Sequence, residues 1–344
     1  MERARSSAAP GRRNLITDVP GLLIGQAQDA AARTGVSVIL PQDRAVCACD
    51  VRGGAPGTRE TDALQPENLV EAVDAVVLAG GSVYGLAAAD GVAAWLGARG
   101  RGYQLAASPQ APPSPVVPAA ILFDMANGGD KAWGEDPPHR RLGRAAAAAA
   151  LAHFELGSAG AGTGAMAGSL KGGVGSASVV SADGIAVGAI AAVNCWGSVV
   201  APGGRRFWAA PFELGEEFGG LGPSEVRAGP EDWGLAKPIA MAGNTTIACV
   251  ATDVALTPAQ AKRVAVMAQD GLARAIRPVH APFDGDVVFA LSTAQRPCEE
   301  PANLTVARIG SLAADALARA VARGVYAARP LAGWDVPCWR DLGD

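Results

Sequence analysis

Gly243-Asn244-Thr245-Thr246-Ile247 marks an abrupt change in the sequence, from a polar, glycine- and proline-rich approach to a β-branched, apolar run. Residues 245–254 have the composition of a buried strand that begins at Thr245. Residues 200–240 show little periodicity, and we expect them to form an exposed, accessible connection that leads up to this point. Taken alone, the motif predicts a turn followed by a strand.

The threonine at this junction also suits a specific chemistry. A threonine hydroxyl is a weak nucleophile at neutral pH, and one way to activate it is to make the residue N-terminal, so that its own α-amine acts as the base. The ordinary pKa of an α-amine is about 7.7–8.0, which is close to neutral pH. Cleavage of the bond between Asn244 and Thr245 would create such a nucleophile.

The sequence on both sides of the junction alternates between strand-like and helix-like patterns. Apolar or β-branched runs predict strands at 36–40, 75–78, 116–123, 174–181, 185–194 and 287–291, and alanine-rich runs predict helices that end near residues 96, 154 and 327. Asp183-Gly184 indicates a hairpin, and Thr257-Pro258 followed by Gln260 indicates a capped helix. No linker or repeat period divides the pattern, so residues 14–344 are predicted to form a single α/β domain.

Composition limits the classes of function. The 344 residues are 49% hydrophobic and 18% charged, with a net charge of -4, which is typical of a globular chain. No basic run follows residues 1–13 and no apolar run is long enough to span a membrane, so we expect neither a nucleic-acid nor a membrane partner. Residues 1–13 are predicted to be a disordered tail without a secretory signal. The six cysteines lack a CxxC pair, which favours reduced thiols and a cytoplasmic location.

Several ordered segments together resemble one known family: 14–21, 52–62, 78–85, 171–176, 243–247 and 282–286. They are similar to peptidase family S58, the DmpA-like aminopeptidase and esterase group related to the nylon-oligomer hydrolases. The resemblance implies an α/β fold of the DmpA and ornithine acetyltransferase type, a four-layer αββα sandwich of the N-terminal-nucleophile kind. It also implies self-cleavage into an α chain, 1–244, and a β chain, 245–344, and assembly of these units into a homo-oligomer.

The same resemblance assigns roles to polar residues of this sequence. It places the nucleophile on Thr245, a lysine that polarises the attacking oxygen or stabilises charge on Lys171, and the amide of the oxyanion hole on Asn194. Asp284 and Asp286 flank one glycine before a strand, so both carboxylates can face the same side. They are expected to hold the new ammonium of Thr245 and to orient Lys171. The structural alternatives are a solvated surface lysine, a strand-end asparagine and an Asp-Gly turn.

One position departs from the family pattern. Related enzymes have a tyrosine where this chain has Phe123. If the phenol of that tyrosine helps to stabilise the oxyanion, the Asn194 amide and backbone N–H groups must do so alone in this chain. No cofactor is expected, because 157–175 lacks the glycine patterns of nucleotide sites. No metal is expected either, since His139, His153 and His280 are dispersed.

These features predict a hydrolase that cleaves amide or ester bonds of small amines, short peptides or ω-amino-acid oligomers through an acyl-enzyme on Thr245. Loops 52–62 and 200–240 are expected to form walls of its substrate pocket. Two alternatives stay open. An acyltransferase of the ornithine acetyltransferase type needs only a different acceptor pocket, and an uncleaved, non-enzymatic binding protein with the same fold is compatible with Phe123.

Overall fold

The computed structural model describes residues 8–104, 110–238 and 243–343. The strands in these ranges are β1 (Leu22–Asp29), β2 (Thr34–Pro41), β3 (Ala45–Val51), β4 (Thr58–Arg59), β5 (Ala72–Val73), β6 (Val76–Ala79), β7 (Ala119–Ile121), β8 (Met166–Ala167), β9 (Leu170–Lys171), β10 (Gly173–Val180), β11 (Ala186–Asn194), β12 (Thr245–Val254) and β13 (Val287–Arg296). The α-helices are α1 (Ala87–Gly97), α2 (His139–Ala148), α3 (Pro258–Ala275) and α4 (Ala302–Tyr326). Short 3-10 helices cover Ile16–Asp18, Asp62–Leu64, Ser82–Leu86, Gly160–Gly162, Ala210–Phe212 and Trp339–Asp341. Within the described ranges, no helix is long and apolar enough to cross a membrane.

Most of the strands belong to two large sheets. The larger sheet has the order β10-β11-β12-β13-β3-β5, and the smaller has the order β1-β2-β6-β7-β4. Strand β12 is antiparallel to β11 on one side and parallel to β13 on the other. The start of β12 therefore lies beside the end of β11 and the start of β13.

Side chains along the central strands alternate between two apolar layers. In β12, Ile247 and Cys249 pack between the two sheets, whereas Ala248 and Val250 pack on the side that α3 and α4 cover. On the smaller sheet, β1, β2 and β6 are covered on their outer side by α1 and α2. Two sheets thus lie between two layers of helices, which confirms the predicted αββα sandwich.

Most predicted elements are present, with some ends shifted. The hairpin at Asp183-Gly184 joins β10 and β11, and Thr257 caps α3 with a capping box. The helix predicted to end near 154 stops at Ala148, because Leu151 forms a bridge with β1 instead. The strand predicted at 116–123 is limited to β7.

Part of the predicted N-terminal tail is held against the larger sheet. Ala9 forms a bridge with β10, and the Gly11 N–H donates to the Ser178 hydroxyl at 3.1 Å. The prediction of a disordered tail is therefore wrong for residues 8–13, which pack on β10. Residues 1–7 lie outside the described residues.

The stretch 200–240 is only partly the exposed connection that its composition predicts, because most of residues 223–234 are exposed whereas its first half is packed on the protein. The Phe207 ring is buried and stacks on Trp339, with 5.3 Å between the ring centroids. The Glu217 carboxylate accepts a hydrogen bond from the buried guanidinium of Arg319 in α4, with 2.9 Å between Nη2 and Oε2. These contacts fix the first half of the stretch against the helical layer, while its residues from 239 on lie outside the described residues.

Glycines in two strands let the outer helices approach the sheets closely. A Cβ on Gly175 of β10 would lie 1.8 Å from the Ala320 carbonyl oxygen of α4. A Cβ on Gly25 of β1 would lie 1.8 Å from the Ala146 carbonyl oxygen of α2. Because no Cβ tolerates such a contact, a side chain at either position must push the helix away from its sheet.

We expect Gly175→Ala to lower the free energy of unfolding by about 3 kcal/mol, because α4 must move off β10 and lose packing. Gly204→Ala is the matched control, since a Cβ there meets nothing within 4 Å. Urea unfolding followed by circular dichroism measures both variants. Equal midpoints would contradict the close packing of α4 on β10.

Candidate active site

The end of β11 and the start of β12 bring two predicted site residues together. Asn194, the last residue of β11, is the register partner of Thr245, the first residue of β12. On the same strands, Ile190 and Ile247 face the layer between the sheets. Since side chains alternate along a strand, Asn194 and Thr245 face that side as well, at its rim.

The peptide bond before Thr245 is buried, whereas the sequence predicts an accessible approach. Asn244 and Thr245 are 2% and 4% exposed. The Asn244 carbonyl oxygen accepts a hydrogen bond from the Gly285 N–H at 3.1 Å, and the Thr245 hydroxyl donates to the same oxygen. The hydroxyl predicted to be the nucleophile therefore contacts the carbonyl group that precedes it.

The Asp286 carboxylate accepts hydrogen bonds from the beginning of β12 and from His280. One carboxylate oxygen accepts the Thr246 N–H at 2.7 Å. The other accepts the backbone N–H of His280 at 3.2 Å and lies 2.8 Å from its ring Nδ1. No motif around His280 predicts this contact from the sequence.

Asp284 lies on the other side of the same glycine. Its Oδ1 accepts the Trp196 N–H at 3.3 Å, just beyond the end of β11, and its backbone forms a parallel bridge with Asn244. Burial raises the pKa of Asp284, and the neighbouring Asp286 carboxylate raises it further. The predicted acidic pair thus contacts both central strands of the site.

The glycine-rich loop that follows β3 supports this acidic pair. The Ala55 N–H donates to the Asp284 carbonyl oxygen at 2.8 Å, and the Arg52 N–H donates to the Asp286 carbonyl oxygen at 3.0 Å. A Cβ on Gly53 would lie 2.3 Å from the Asp286 nitrogen, so this approach of two backbones requires glycine. The loop therefore supports the backbone of Asp284 and Asp286. None of the residues that line the adjacent cavity belongs to it, although the sequence predicts that this loop forms a pocket wall.

The Asn194 side chain connects three backbone segments. Its Oδ1 accepts the Met166 N–H at 2.9 Å, and its Nδ2 donates to the carbonyl oxygens of Phe123 at 3.0 Å and Gly243 at 3.5 Å. The amide hydrogens are thus directed at backbone carbonyls of the uncut chain. A role in an oxyanion hole stays a prediction, and it requires the Gly243 carbonyl to release this amide.

A cavity of about 280 Å³ lies in front of the buried peptide bond. Its walls are formed by Phe123, Asp124, Ala126, Asn127, Gly164, Met166, Asn194, Lys237, Gly243 and Asn244. The Phe123 ring lies against Gly243, where an added Cβ would be 2.3 Å from Cδ1. The absent phenol therefore leaves an apolar wall beside the cleavage point. Among the residues described, no three His, Cys, Asp or Glu side chains are grouped to hold a metal ion.

Lys171 makes none of the contacts expected from the sequence. Its side chain is fully buried, so the alternative of a surface lysine is wrong. Its ammonium donates to the carbonyl oxygens of Gly162, Ala165 and Gly172 at 2.9, 3.2 and 2.7 Å. Burial lowers the pKa of Lys171 to about 7. All three hydrogen bonds go to the backbone and none goes to another predicted site residue, so the catalytic role of Lys171 stays a prediction.

Lys237 is the lysine that reaches the cavity. Its Nζ donates to Asn244 Oδ1 at 2.7 Å and to the Asn194 carbonyl oxygen at 3.3 Å. Burial lowers the pKa of Lys237 to about 8, although the nearby Asp284 carboxylate acts in the opposite direction. One feature of the sequence could have pointed to this residue: Lys237 is one of only four lysines and lies eight residues before the predicted nucleophile.

Comparison with known sequences agrees with this geometry. The sequence model of peptidase family S58 matches residues 14–337. This chain belongs to peptidase family S58. A Mycobacterium bovis protein named as an uncharacterized aminopeptidase is 44% identical over 349 residues, which cover 96% of this chain and 98% of that protein. A 6-aminohexanoate-oligomer endohydrolase of Kocuria sp. is 30% identical over 299 residues, which cover 82% of this chain and 76% of that protein.

Solved structures share the fold of this S58 chain at lower identity. A beta-aminopeptidase of Burkholderia sp. matches with a TM-score of 0.70 and 22% identity, over 97% of this chain and 93% of that chain. The L-aminopeptidase D-Ala-esterase/amidase of Ochrobactrum anthropi, described as a variant of the Ntn hydrolase fold, matches with a TM-score of 0.67 and 20% identity, over 97% and 91%. The sequence relatives make the chain a hydrolase of the aminopeptidase and amidase class, and the structures confirm its layered fold.

We expect Lys171→Met to destabilise the fold by about 1–3 kcal/mol, because backbone carbonyls lose their buried donor. Amide hydrolysis per folded molecule tests separately whether this lysine also acts in catalysis. Lys262→Met, which alters a half-buried lysine of α3, is the control for loss of a lysine charge. Thermal unfolding and turnover are measured on the same preparations. Lost turnover at an unchanged melting temperature would support the catalytic role that the sequence predicts for Lys171.

The pKa of Lys171 also predicts how stability depends on pH. An unperturbed lysine has a pKa of 10.5, whereas that of folded Lys171 is about 7. Between these values the unfolded chain binds the proton more tightly, so the free energy of unfolding should rise as the pH rises from 7 towards 10.5. In Lys171→Met this part of the slope, at most about 1.4 kcal/mol per pH unit, should disappear. Urea unfolding at several pH values tests this, and parallel curves for the two proteins would refute it.

Proposed function

We propose that this protein is a self-processing N-terminal-nucleophile aminopeptidase or amidase, with Thr245 as its nucleophile and the Asn244–Thr245 bond as its cleavage site. One observation carries the proposal: the Thr245 hydroxyl and the Gly285 N–H both contact the carbonyl oxygen of Asn244. Attack on a carbonyl requires a hydroxyl held next to it and a donor directed at the oxygen that becomes charged.

The first reaction converts the chain into the enzyme. The Thr245 oxygen attacks the carbonyl carbon of Asn244, and the Gly285 N–H stabilises the charge on the carbonyl oxygen, a contribution of about 3 kcal/mol for comparable donors. The carbon–nitrogen bond then breaks, the nitrogen takes up the hydroxyl proton, and an ester joins the two residues. Water hydrolyses the ester, which leaves a carboxylate on Asn244 and a free hydroxyl and amine on Thr245.

The second reaction is turnover. The Thr245 hydroxyl attacks a substrate amide or ester, while the α-amine of the same residue accepts the proton and returns it to the leaving group. Asn194 lies opposite Thr245 in the β11–β12 register, and its amide serves as an oxyanion donor once Gly243 has released it. Water then hydrolyses the acyl-enzyme and regenerates the hydroxyl.

The acidic pair balances the charge of the new N-terminus. The Asp286 carboxylate already accepts the N–H of Thr246, and the Asp284 backbone forms a bridge with Asn244, so both residues flank the bond that is cut. An ammonium on Thr245 would therefore form beside two buried carboxylates and lower the raised pKa of Asp284 by pairing with it. In this role the pair orients the amine for proton transfer.

The cavity favours small substrates. Its volume of about 280 Å³ is close to the lower limit of ligand pockets. Relatives of this chain are named as aminopeptidases and as a 6-aminohexanoate-oligomer endohydrolase. We therefore assign amides and esters of small amines, short peptides and ω-amino-acid oligomers as its substrates. The working form in this proposal is the cytoplasmic homo-oligomer of cut units that is expected from the sequence.

The purified protein should run as two chains, 1–244 and 245–344, in denaturing electrophoresis, with the cut placed at Asn244–Thr245 by intact mass. Thr245→Ala should remain one chain, and Thr245→Ser should still be cut because it keeps a hydroxyl. Thr246→Val is the matched control, since it removes a neighbouring buried hydroxyl that has no hydrogen bond within the described ranges.

Two outcomes would contradict this proposal. Cleavage of Thr245→Ala would exclude Thr245 as the nucleophile of maturation, and a native chain that stays whole would support the uncleaved binding protein. An acyl donor offered together with ornithine distinguishes the remaining alternative. We expect release of the free acid, whereas acyl-ornithine as the main product would identify a transferase.

A further inference from the structure

Lys237 takes no part in the reactions described above, yet it contacts the residue whose carbonyl group is attacked. Its Nζ lies 2.7 Å from Asn244 Oδ1, and its backbone N–H donates to the Trp196 carbonyl oxygen at 2.9 Å. The second hydrogen bond of the ammonium goes to the carbonyl oxygen of Asn194 at 3.3 Å. The lysine is thus anchored to the end of β11 and reaches from there to the cleavage point.

The hydrogen bonds around Asn244 fix both sides of the bond to be cut. Gly285 holds the main-chain oxygen at 3.1 Å, and Lys237 holds the side-chain oxygen at 2.7 Å. One residue earlier, the Gly243 carbonyl accepts the Asn194 amide at 3.5 Å. With the main chain and the side chain both held, Asn244 cannot rotate its carbonyl carbon away from the Thr245 hydroxyl.

Burial makes the bond between lysine and asparagine strong and selective. Lys237 is 6% exposed, and a buried ammonium is costly unless acceptors surround it. Its two side-chain hydrogen bonds go to Asn194 and Asn244, so a residue at 244 without a side-chain oxygen removes one of its acceptors. The nearby Asp284 carboxylate favours the charged form of this lysine.

We propose that Lys237 is a positioning residue for self-cleavage, which holds the Asn244 carboxamide so that the Asn244 carbonyl faces the Thr245 hydroxyl. The proposal rests on the proposed function and adds a requirement for a hydrogen-bond acceptor in the side chain of residue 244. Lys237 exchanges no proton or covalent bond with the reacting atoms. Its effect is on the rate of maturation and is exerted through Asn244.

A double-mutant cycle on the full chain tests this coupling. Lys237→Met and Asn244→Ala should each slow maturation by about 100-fold, the loss typical of a reacting group displaced by an ångström. The double variant should be no slower than the slower single variant, because both changes remove the same interaction. Maturation is followed by intact mass after pulse-labelled cell-free synthesis. Lys262→Met, which alters a lysine of α3 outside the cavity, should mature at the native rate.

Conservative variants and a stability measurement separate positioning from folding. Asn244→Asp keeps an acceptor and Lys237→Arg keeps a donor, so both should mature much faster than the variants that remove the contact. Melting temperatures are compared in the Thr245→Ala background, in which no chain is cut. If Lys237→Met fails to fold there, Asn244→Ala still decides the test, since it leaves the lysine intact and must slow cleavage.

Native-rate maturation of Asn244→Ala or of Lys237→Met would overturn this inference. Losses that multiply in the double variant would overturn it too, because they would show two independent roles. These results leave the proposed function intact as long as the native chain is cut and Thr245→Ala is not. Failure of the proposed function appears instead as cleavage of Thr245→Ala or as a native chain that stays whole.

Discussion

The pairing between β11 and β12 positions the whole site. It sets Asn194 opposite Thr245, and a slip of one residue in either strand would turn that side chain towards the helical layer. The parallel partner β13 begins at the same level, which brings Asp284 and Asp286 to the edge where β11 ends and β12 starts. The reacting groups are therefore held by the ladder between two fully buried strands, and loop 52–57 only reinforces their positions.

The buried charges of the molecule fall into two kinds. The Arg319 guanidinium contacts a carboxylate and carbonyls and ties segments distant in sequence to α4. The Lys171 ammonium donates to carbonyls of its own glycine-rich segment, 162–172. Lys237 and Asp284 lie beside the cleavage point, and burial moves the pKa of each towards neutrality. The two buried lysines thus differ in what their ammonium groups contact, which burial alone does not reveal.

The sequence predicts the layers well, because apolar strands and alanine-rich helices follow local rules that the tertiary structure respects. The resemblance to the S58 family also predicts that Thr245, Asn194 and the two aspartates lie close together, because it assigns all of them to one active site. The contacts of Lys171 and Lys237 depend on how the chain folds back around the cavity, and no local pattern records this. The contribution of Gly285 is equally hidden from the sequence, because it is a backbone N–H whose direction is set by the bridge between Asn244 and Asp284.

The strand order has a consequence for a chain cut before β12. Strands β10, β11, β3 and β5 precede the cut, whereas β12 and β13 follow it and lie between β11 and β3 in the middle of the sheet. Neither fragment would contain the complete six-stranded sheet, and their dissociation would leave unpaired strand edges on both fragments. The two fragments would therefore persist as one interlocked, non-covalent unit that only global unfolding separates, and the new chain end would remain fixed at the centre of the fold.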